Sequence, residues 1–186
     1  PMLSNIPNLV YLAPTTKEEY IAMLDWSIEQ NEQPVAIKLP GGAMVSGRPV
    51  TKNFGDLNKY EVTQKGSKVA LLGLGTFYSL ANAVAGEMKS ELGIDATGIN
   101  PYYITGLDEE LLESLKVDHS VVVTIEDGIL DGGFGEKIAR FYGDSDMKVL
   151  NYGLKKEFLD TYDVEEVLKD NRLDAEMIAE DVKGLL

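Results

Sequence analysis

The sequence predicts an α/β protein with a mostly parallel sheet and helices on both faces. Four short apolar runs alternate with segments of helical periodicity between residues 68 and 153, the pattern of parallel strands joined by crossover helices. A separate strand-helix-strand pattern precedes them at residues 8–39. Two strands and one helix do not bury a core alone, so we expect this piece to pack on further polypeptide, in this chain or outside it.

Local signals define the elements of the first piece. Residues 9–12 and 35–39 are apolar runs that end near a proline and read as strands. Thr15 and Thr16 each precede a glutamate by three residues, which is the capping-box signature of a helix start. Trp26 lies off the most apolar face of this helix, and we expect it to contact a partner. The predicted apolar face carries Tyr20, Met23, Leu24, Ser27 and Ile28.

A change in composition separates this piece from the main domain. Residues 41–67 are rich in glycine, proline, asparagine, lysine and threonine, and they predict a linker with one short strand near residues 60–62. We therefore divide the chain into residues 1–42, a linker at residues 43–67 and a main domain at residues 68–186.

The main domain is predicted to contain four strands, three helices and a tail with two short acidic helices. The strands are placed at residues 69–72, 96–100, 121–125 and 148–151. The helices are placed from residue 76 to about residue 91, at 108–116 and at 135–142, and the tail helices at 164–169 and 175–185.

The composition excludes several classes of function. Apolar residues are 44% and charged residues 26%, as in globular proteins, and no apolar run approaches the roughly 18 residues of a membrane span. The absence of cysteine fits a cytoplasmic setting. A net charge of −14 argues against nucleic-acid and membrane-surface partners.

The sequence has a single histidine, His119, which excludes a histidine-rich metal site. We predict that His119 lies at the surface. The chain begins with Pro1, so we expect a piece of a longer protein.

Two glycines stand where a dinucleotide-binding motif would place them. Gly73 and Gly75 follow a predicted strand and precede a helix, but Tyr78 replaces the third glycine of that motif. Asp95 falls before the next strand and not at its end, where a ribose would be bound. A tight strand-to-helix turn is therefore the favoured interpretation.

A second glycine-rich segment follows the third predicted strand. Two adjacent carboxylates at the carboxyl end of a parallel strand can bind a metal, act as acid and base, or face an interface. Because no histidine or further acid accompanies them, we favour a structural or interface role. The predicted interface residues are Glu126, Asp127, Gly132, Gly133, Phe134 and Gly135.

Several segments together resemble one enzyme family. Residues 6–15 are similar to the late part of the pyrimidine-binding domain of 1-deoxy-D-xylulose-5-phosphate synthases, which are members of the transketolase family. Four further segments resemble the C-terminal transketolase domain of these enzymes: residues 69–76, 100–112, 123–135 and 149–154. The resemblance implies a transketolase C-terminal-domain-like fold at residues 68–186. Residues 1–42 would then be the end of the pyrimidine-binding domain, and the whole chain about the last third of a thiamine-diphosphate enzyme.

The resemblance also implies what this chain contributes to such an enzyme. The family binds thiamine diphosphate through Mg²⁺ on a Gly-Asp-Gly motif, which is absent here, and its activating glutamate and active-site histidines precede Pro1. We therefore expect no catalytic, cofactor-binding or metal-binding residue in the chain, and no activity of the chain alone. The parent enzyme would use thiamine diphosphate and Mg²⁺. Its partners would be the missing N-terminal part and a second copy, as a homodimer.

One segment departs from the family. The synthases carry Arg-Tyr-Pro-Arg-Gly, whose second arginine holds the phosphate of glyceraldehyde 3-phosphate, whereas this chain places Gly41 at that point of its Lys38-to-Gly42 segment. Glycine cannot replace a guanidinium in a charge-assisted phosphate contact. Either Lys38 or Arg48 binds the substrate instead, or the parent uses another acceptor. The alternatives are a transketolase-like enzyme with a different sugar acceptor, or a free-standing α/β binding module without catalysis.

Overall fold

The computed structural model describes residues 2–47, 49–50 and 52–186, and it confirms the α/β fold with a mostly parallel sheet. Five strands form the main sheet in the order β3-β5-β4-β6-β7. The strands β4 to β7 are mutually parallel, and β3 pairs antiparallel with β5 at one edge. The bounds are β3 Glu61–Gln64, β4 Lys68–Leu74, β5 Thr97–Asn100, β6 His119–Ile129 and β7 Lys148–Leu154.

Helices cover both faces of this sheet. Successive side chains of a strand point to opposite faces, and β4 shows the result: Val69 and Leu71 pack with α2 and α6, whereas Ala70 and Leu72 pack with α3 and α4. Buried-type strands are expected where both faces are covered. The helices of this part are α2 Tyr78–Leu92, α3 Glu109–Leu115, α4 Phe134–Phe141, α5 Val164–Asp170 and α6 Ala175–Lys183. Among the described residues, no helix is long and apolar enough to cross a membrane.

The N-terminal piece forms a small parallel unit. Its elements are β1 Val10–Leu12, α1 Lys17–Glu29 and β2 Val35–Ile37, with β1 and β2 paired in parallel. Thr16 caps α1 by accepting a hydrogen bond from the Glu19 N–H at 3.2 Å, as the capping signature predicts.

The small N-terminal unit completes its hydrophobic core with residues from later in the same chain. Leu12 and Met23 are fully buried in a cluster with Phe54, Tyr102 and Tyr103. Phe54 comes from the predicted linker, and the two tyrosines follow β5. Two backbone hydrogen bonds, from Ala13 N–H to the Tyr102 carbonyl and from Ile104 N–H to the Tyr11 carbonyl, are both 2.7 Å long. The two units are therefore joined by apolar packing and by main-chain bonds.

The prediction of which side of α1 faces the core is wrong by about one residue position. Met23 is buried, but Leu24 is 37% and Ile28 73% exposed. The buried side of the helix follows Glu19 and Met23, and Trp26 packs at a ring-centroid distance of 6.5 Å from Phe54. Phe54 fixes this orientation, and its position in space could not be read from the periodicity of the helix. Trp26 thus has a contact inside its own chain.

The domain boundaries stay a prediction, but parts of the predicted linker are buried. Phe54 is 2% and Tyr60 8% exposed, and β3 falls within residues 43–67. The Tyr60 hydroxyl donates to the Gly106 carbonyl at 2.9 Å, and the Tyr103 hydroxyl donates to the Phe54 carbonyl at 2.9 Å. This segment therefore takes part in two hydrophobic clusters, the one that contains Leu12 and Met23 and the one that contains Ala70 and Leu72.

Candidate functional site

The carboxyl ends of β1, β2, β4 and β6 meet where the two units are in contact. A cavity of about 10 Å³, about the room of one water molecule, lies between Ala13, Lys38, Pro40, Gly75 and Asp127. Ligands of α/β sheets bind beyond the carboxyl ends of strands, so this edge is where a site is expected. The small volume shows that the two units are in close contact there, and leaves no room for a substrate inside.

The glycines after β4 make this close contact possible. Gly75 has φ +59°, and a Cβ on it would lie 3.3 Å from the Ala13 Cβ. A Cβ on Gly73 would lie 2.6 Å from the Tyr78 Cα, closer than atoms can approach. Both positions therefore need glycine for backbone reasons. This geometry agrees with a tight strand-to-helix turn, the interpretation favoured from the sequence.

Lys38 connects the two units through Asp127. Its Nζ lies 3.3 Å from the Asp127 Oδ2 and also donates to the Asp127 backbone carbonyl. The side chains are about one third and two fifths exposed, so this is a partly solvated ion pair. The Lys38 N–H also donates to the Leu12 carbonyl at 2.8 Å, at the end of β2. The ammonium group of Lys38, which the sequence suggested for phosphate binding, is thus already paired with Asp127.

Of the other two predicted substrate residues, the structure describes Gly41. Gly41 is exposed, and a Cβ on it would find no atom within 4 Å. Arg48 lies outside the described residues, so its role stays a prediction.

Glu126 has a definite structural task. It is 5% exposed, and its carboxylate accepts from the N–H groups of Phe134 at 2.9 Å and Gly135 at 2.7 Å, at the start of α4. A carboxylate there satisfies unpaired N–H groups and complements the helix dipole. Burial raises the pKa of the Glu126 carboxyl, and the two N–H donors oppose this shift. A Cβ on Gly133 would lie 2.6 Å from the Glu126 Oε1, so glycine is required there too.

The predicted interface residues therefore divide into two groups. Glu126, Gly133, Phe134 and Gly135 are buried within this chain, and they build the start of α4. Asp127 and Gly132 are half-buried and exposed, respectively, and they lie at the surface of the described structure. That these residues form an interface remains a prediction.

A larger cleft, which the sequence did not indicate, lies beside this edge. Its volume is about 1040 Å³, and it opens between the start of α1, residues 43–45, 49, 50 and 52, β3 and the start of α2. Glu19 and Asn100 are buried in its wall, with the Asn100 Nδ2 donating to the Glu19 Oε1 at 3.2 Å. Burial raises the pKa of Glu19 and lowers the pKa of Lys52, which also lines the cleft. The sequence signal for Asn100 was its position at the end of a strand.

His119 is not a surface histidine, and that prediction is wrong. Its side chain is 4% exposed. The Nε2 lies 2.7 Å from the Thr97 Oγ1, and the Nδ1 lies 2.6 Å from the Asp118 Oδ1 and 3.2 Å from the Leu115 carbonyl. The cause is that β6 begins at residue 119, two residues earlier than predicted, which brings the ring between β5 and the end of α3. Two acceptors at Nδ1 indicate that this nitrogen carries the hydrogen.

The described residues do not fit the Mg²⁺-diphosphate group of a thiamine-diphosphate enzyme. Within the described ranges, no group of three or more histidine, cysteine, aspartate or glutamate residues could hold a metal ion. Mg²⁺ binds through carboxylate, carbonyl and water oxygens in near-octahedral geometry, and such a donor set would be needed. The described residues therefore do not provide a binding site for this cofactor.

The fold of the main sheet and its helices is that of a transketolase C-terminal domain. The profile of the family described as transketolase, C-terminal domain, matches residues 58–178, so the chain belongs to this family. The resemblance to 1-deoxy-D-xylulose-5-phosphate synthases is confirmed by curated relatives of that name. The protein from Clostridium tetani is 33% identical over 186 residues, which cover 99% of this chain and 30% of the relative. The protein from Crocosphaera subtropica is 33% identical over 185 residues, with 97% and 29% covered.

A solved structure has the same fold. It is that of a protein named "Split gene transketolase, inactive beta4 tetramer", and it superimposes with a TM-score of 0.80 over 98% of this chain and 59% of its own. The sequence identity is 23%, so this likeness shows the fold alone. The present chain spans about 30% of the length of its curated relatives.

Proposed function

We propose that this chain is the C-terminal part of a thiamine-diphosphate-dependent 1-deoxy-D-xylulose-5-phosphate synthase. The parent enzyme joins pyruvate to glyceraldehyde 3-phosphate with release of CO₂. The observation that carries the proposal is one third identity along nearly the whole chain, across both units and the segment between them. A free-standing binding module would not be expected to contain both units in the order in which these synthases have them.

The role of this chain within such an enzyme is structural. It would supply the end of the pyrimidine-binding domain and the C-terminal domain, and it would support a homodimer. The chain corresponds to about 30% of the length of its curated relatives, which supports a role as one part of a larger enzyme.

A second candidate is a transketolase-like enzyme with another sugar acceptor. Gly41 favours it, because this position offers open space where the synthases have a phosphate-binding arginine. An acceptor without a phosphate, or one held through other groups, would not need that arginine.

The test is turnover by the full product of the gene that encodes this chain. With thiamine diphosphate, Mg²⁺, pyruvate and glyceraldehyde 3-phosphate, we expect 1-deoxy-D-xylulose 5-phosphate and an equal amount of CO₂, both measured by mass spectrometry. A parallel reaction with a ketose phosphate donor and an aldose acceptor is the control. Ketol transfer in that reaction, with no product from pyruvate, would contradict the synthase proposal and establish the second candidate.

A further inference from the structure

Lys38 is the first residue of the segment that departs from the family, three residues before Gly41. Its main chain ends β2 through the hydrogen bond to Leu12, and its side chain reaches the other unit at Asp127. The ammonium group contacts both the carboxylate and the carbonyl of the same residue. Two contacts from one group fix the direction of the side chain as well as its distance.

The partner of Lys38 follows a fixed residue. Asp127 comes directly after Glu126, whose buried carboxylate is bound to two N–H groups of α4. The strand β6 pairs with β4 up to Glu126, and its pairing with β7 is interrupted between Ile125 and Ile129, so Asp127 lies just past the paired part of the strand. Lys38 thus fastens the end of β2 to the C-terminal domain at the residue that follows Glu126.

The residues after Lys38 need such a fastening. Pro40 is followed by Gly41 and Gly42, and neither glycine has an atom within 4 Å of the position of a Cβ. Glycines lose the most conformational freedom when they are fixed, so a loop with two of them is costly to order. A fixed point two residues before Pro40 limits the directions that the loop can take.

We infer that Lys38 is a positioning residue. Held by Asp127, it sets the geometry of the loop at residues 39–42 toward the acceptor substrate and does not bind the acceptor itself. The C-terminal domain thereby controls acceptor affinity from outside the active site. This inference rests on the proposed function, and it differs from direct phosphate binding by Lys38.

The variants Lys38→Met and Asp127→Asn separate the two roles. If Lys38 positions the loop, both raise the KM for glyceraldehyde 3-phosphate about tenfold, since each removes one charged partner of the same contact. The KM for pyruvate and kcat at saturating acceptor stay near those of the unaltered enzyme. If Lys38 binds the phosphate directly, only Lys38→Met raises the acceptor KM, and Asp127→Asn leaves it unchanged or lowers it. The latter outcome would overturn the inference.

Two further variants are the matched controls. Lys38→Arg keeps the charge and its reach to Asp127, and it is expected to retain the acceptor KM. Lys89→Met breaks the surface ion pair between Lys89 and Asp95, 2.8 Å long, and it is expected to change neither KM. An equal rise in acceptor KM in Lys89→Met would mean that loss of any surface charge has this effect, which would also contradict the inference.

Hydrogen exchange gives a readout that does not depend on the reaction. In the full gene product, the amides of Leu39, Gly41 and Gly42 should exchange faster in both Lys38→Met and Asp127→Asn, with no change in Lys89→Met. If the loop amides exchange at unchanged rates in Lys38→Met and Asp127→Asn, Lys38 does not position the loop. If the enzyme makes no deoxyxylulose phosphate, the proposed function fails, whereas the exchange result still decides whether Lys38 orders the loop.

Discussion

At the scale of single residues, Gly133 is explained by one carboxylate. Glu126 bonds to the N–H groups of Phe134 and Gly135, and a Cβ on Gly133 would lie 2.6 Å from the Glu126 Oε1. Gly135 has a different constraint, because a Cβ there would lie 2.6 Å from the Thr124 Oγ1. The sequence suggested an interface for this segment, since it shows glycines and acids close together but not which oxygen meets which N–H group.

Two neighbouring glutamates are predicted to affect stability in opposite directions as pH changes. Burial raises the pKa of Glu19 from its ordinary 4.5, so its favourable contribution is complete below that value and is lost as pH rises through the folded-state pKa. The Gly47 N–H lowers the pKa of exposed Glu18, so its contribution is present above 4.5 and is lost as pH falls through the folded-state pKa.

Urea unfolding between pH 3 and 7.5 measures both effects. Relative to the unaltered chain, Glu19→Gln should gain free energy of unfolding as pH rises, and Glu18→Gln should lose it. The two variants serve as controls for each other, because they remove the same charge at adjacent positions. Slopes of the same sign would show that net charge, and not the local environment, sets the pH dependence.

At the scale of elements, the segment between the two units is part of their packing. Phe54→Ala removes a 2% exposed ring that packs against Trp26 and Tyr102, so we expect a loss of about 3–5 kcal/mol in the free energy of unfolding. Trp26, the sole tryptophan of the sequence, should show red-shifted fluorescence in the variant. Phe158→Ala is the control, since Phe158 is fully exposed and its loss should cost less than about 0.5 kcal/mol. An unshifted tryptophan spectrum in Phe54→Ala would contradict this packing.

Local signals predicted most of the elements, and long-range contacts account for what they missed. The cap of α1 lies at Thr16, one of the two positions that the sequence offered, because a cap depends on residues three positions apart. The side of α1 that faces the core depends on Phe54, and the environment of His119 depends on Thr97. Both partners are more than 20 positions away, where periodicity carries no information.

The candidate site was predictable only in its location. The end of the third predicted strand was singled out, and Glu126 and Asp127 do lie where strand ends meet. The pairing of Asp127 with Lys38 joins positions 89 apart, and nothing in the composition of either segment indicates it. The cleft wall at Glu19 and Asn100 likewise joins positions 81 apart.

At the scale of the whole molecule, the 186-residue chain is predicted not to bind thiamine diphosphate. The described residues offer no cluster of metal ligands, and diphosphate binding in this class of enzyme needs Mg²⁺. Isothermal titration calorimetry with thiamine diphosphate and Mg²⁺ should give no saturable heat. A full-length 1-deoxy-D-xylulose-5-phosphate synthase, titrated under the same conditions, is the positive control. Saturable binding with micromolar affinity would contradict the prediction.

The antiparallel strand β3 has a consequence for anyone who recombines this chain with its relatives. It covers the outer edge of β5, and the Thr63 hydroxyl donates to the Gly98 carbonyl there at 3.0 Å. A module cut at residue 67, with no strand supplied in place of β3, would leave that edge with unpaired main-chain groups, which readily pair with strands of other molecules. A junction placed before Leu57 carries β3 along and keeps this edge of β5 paired.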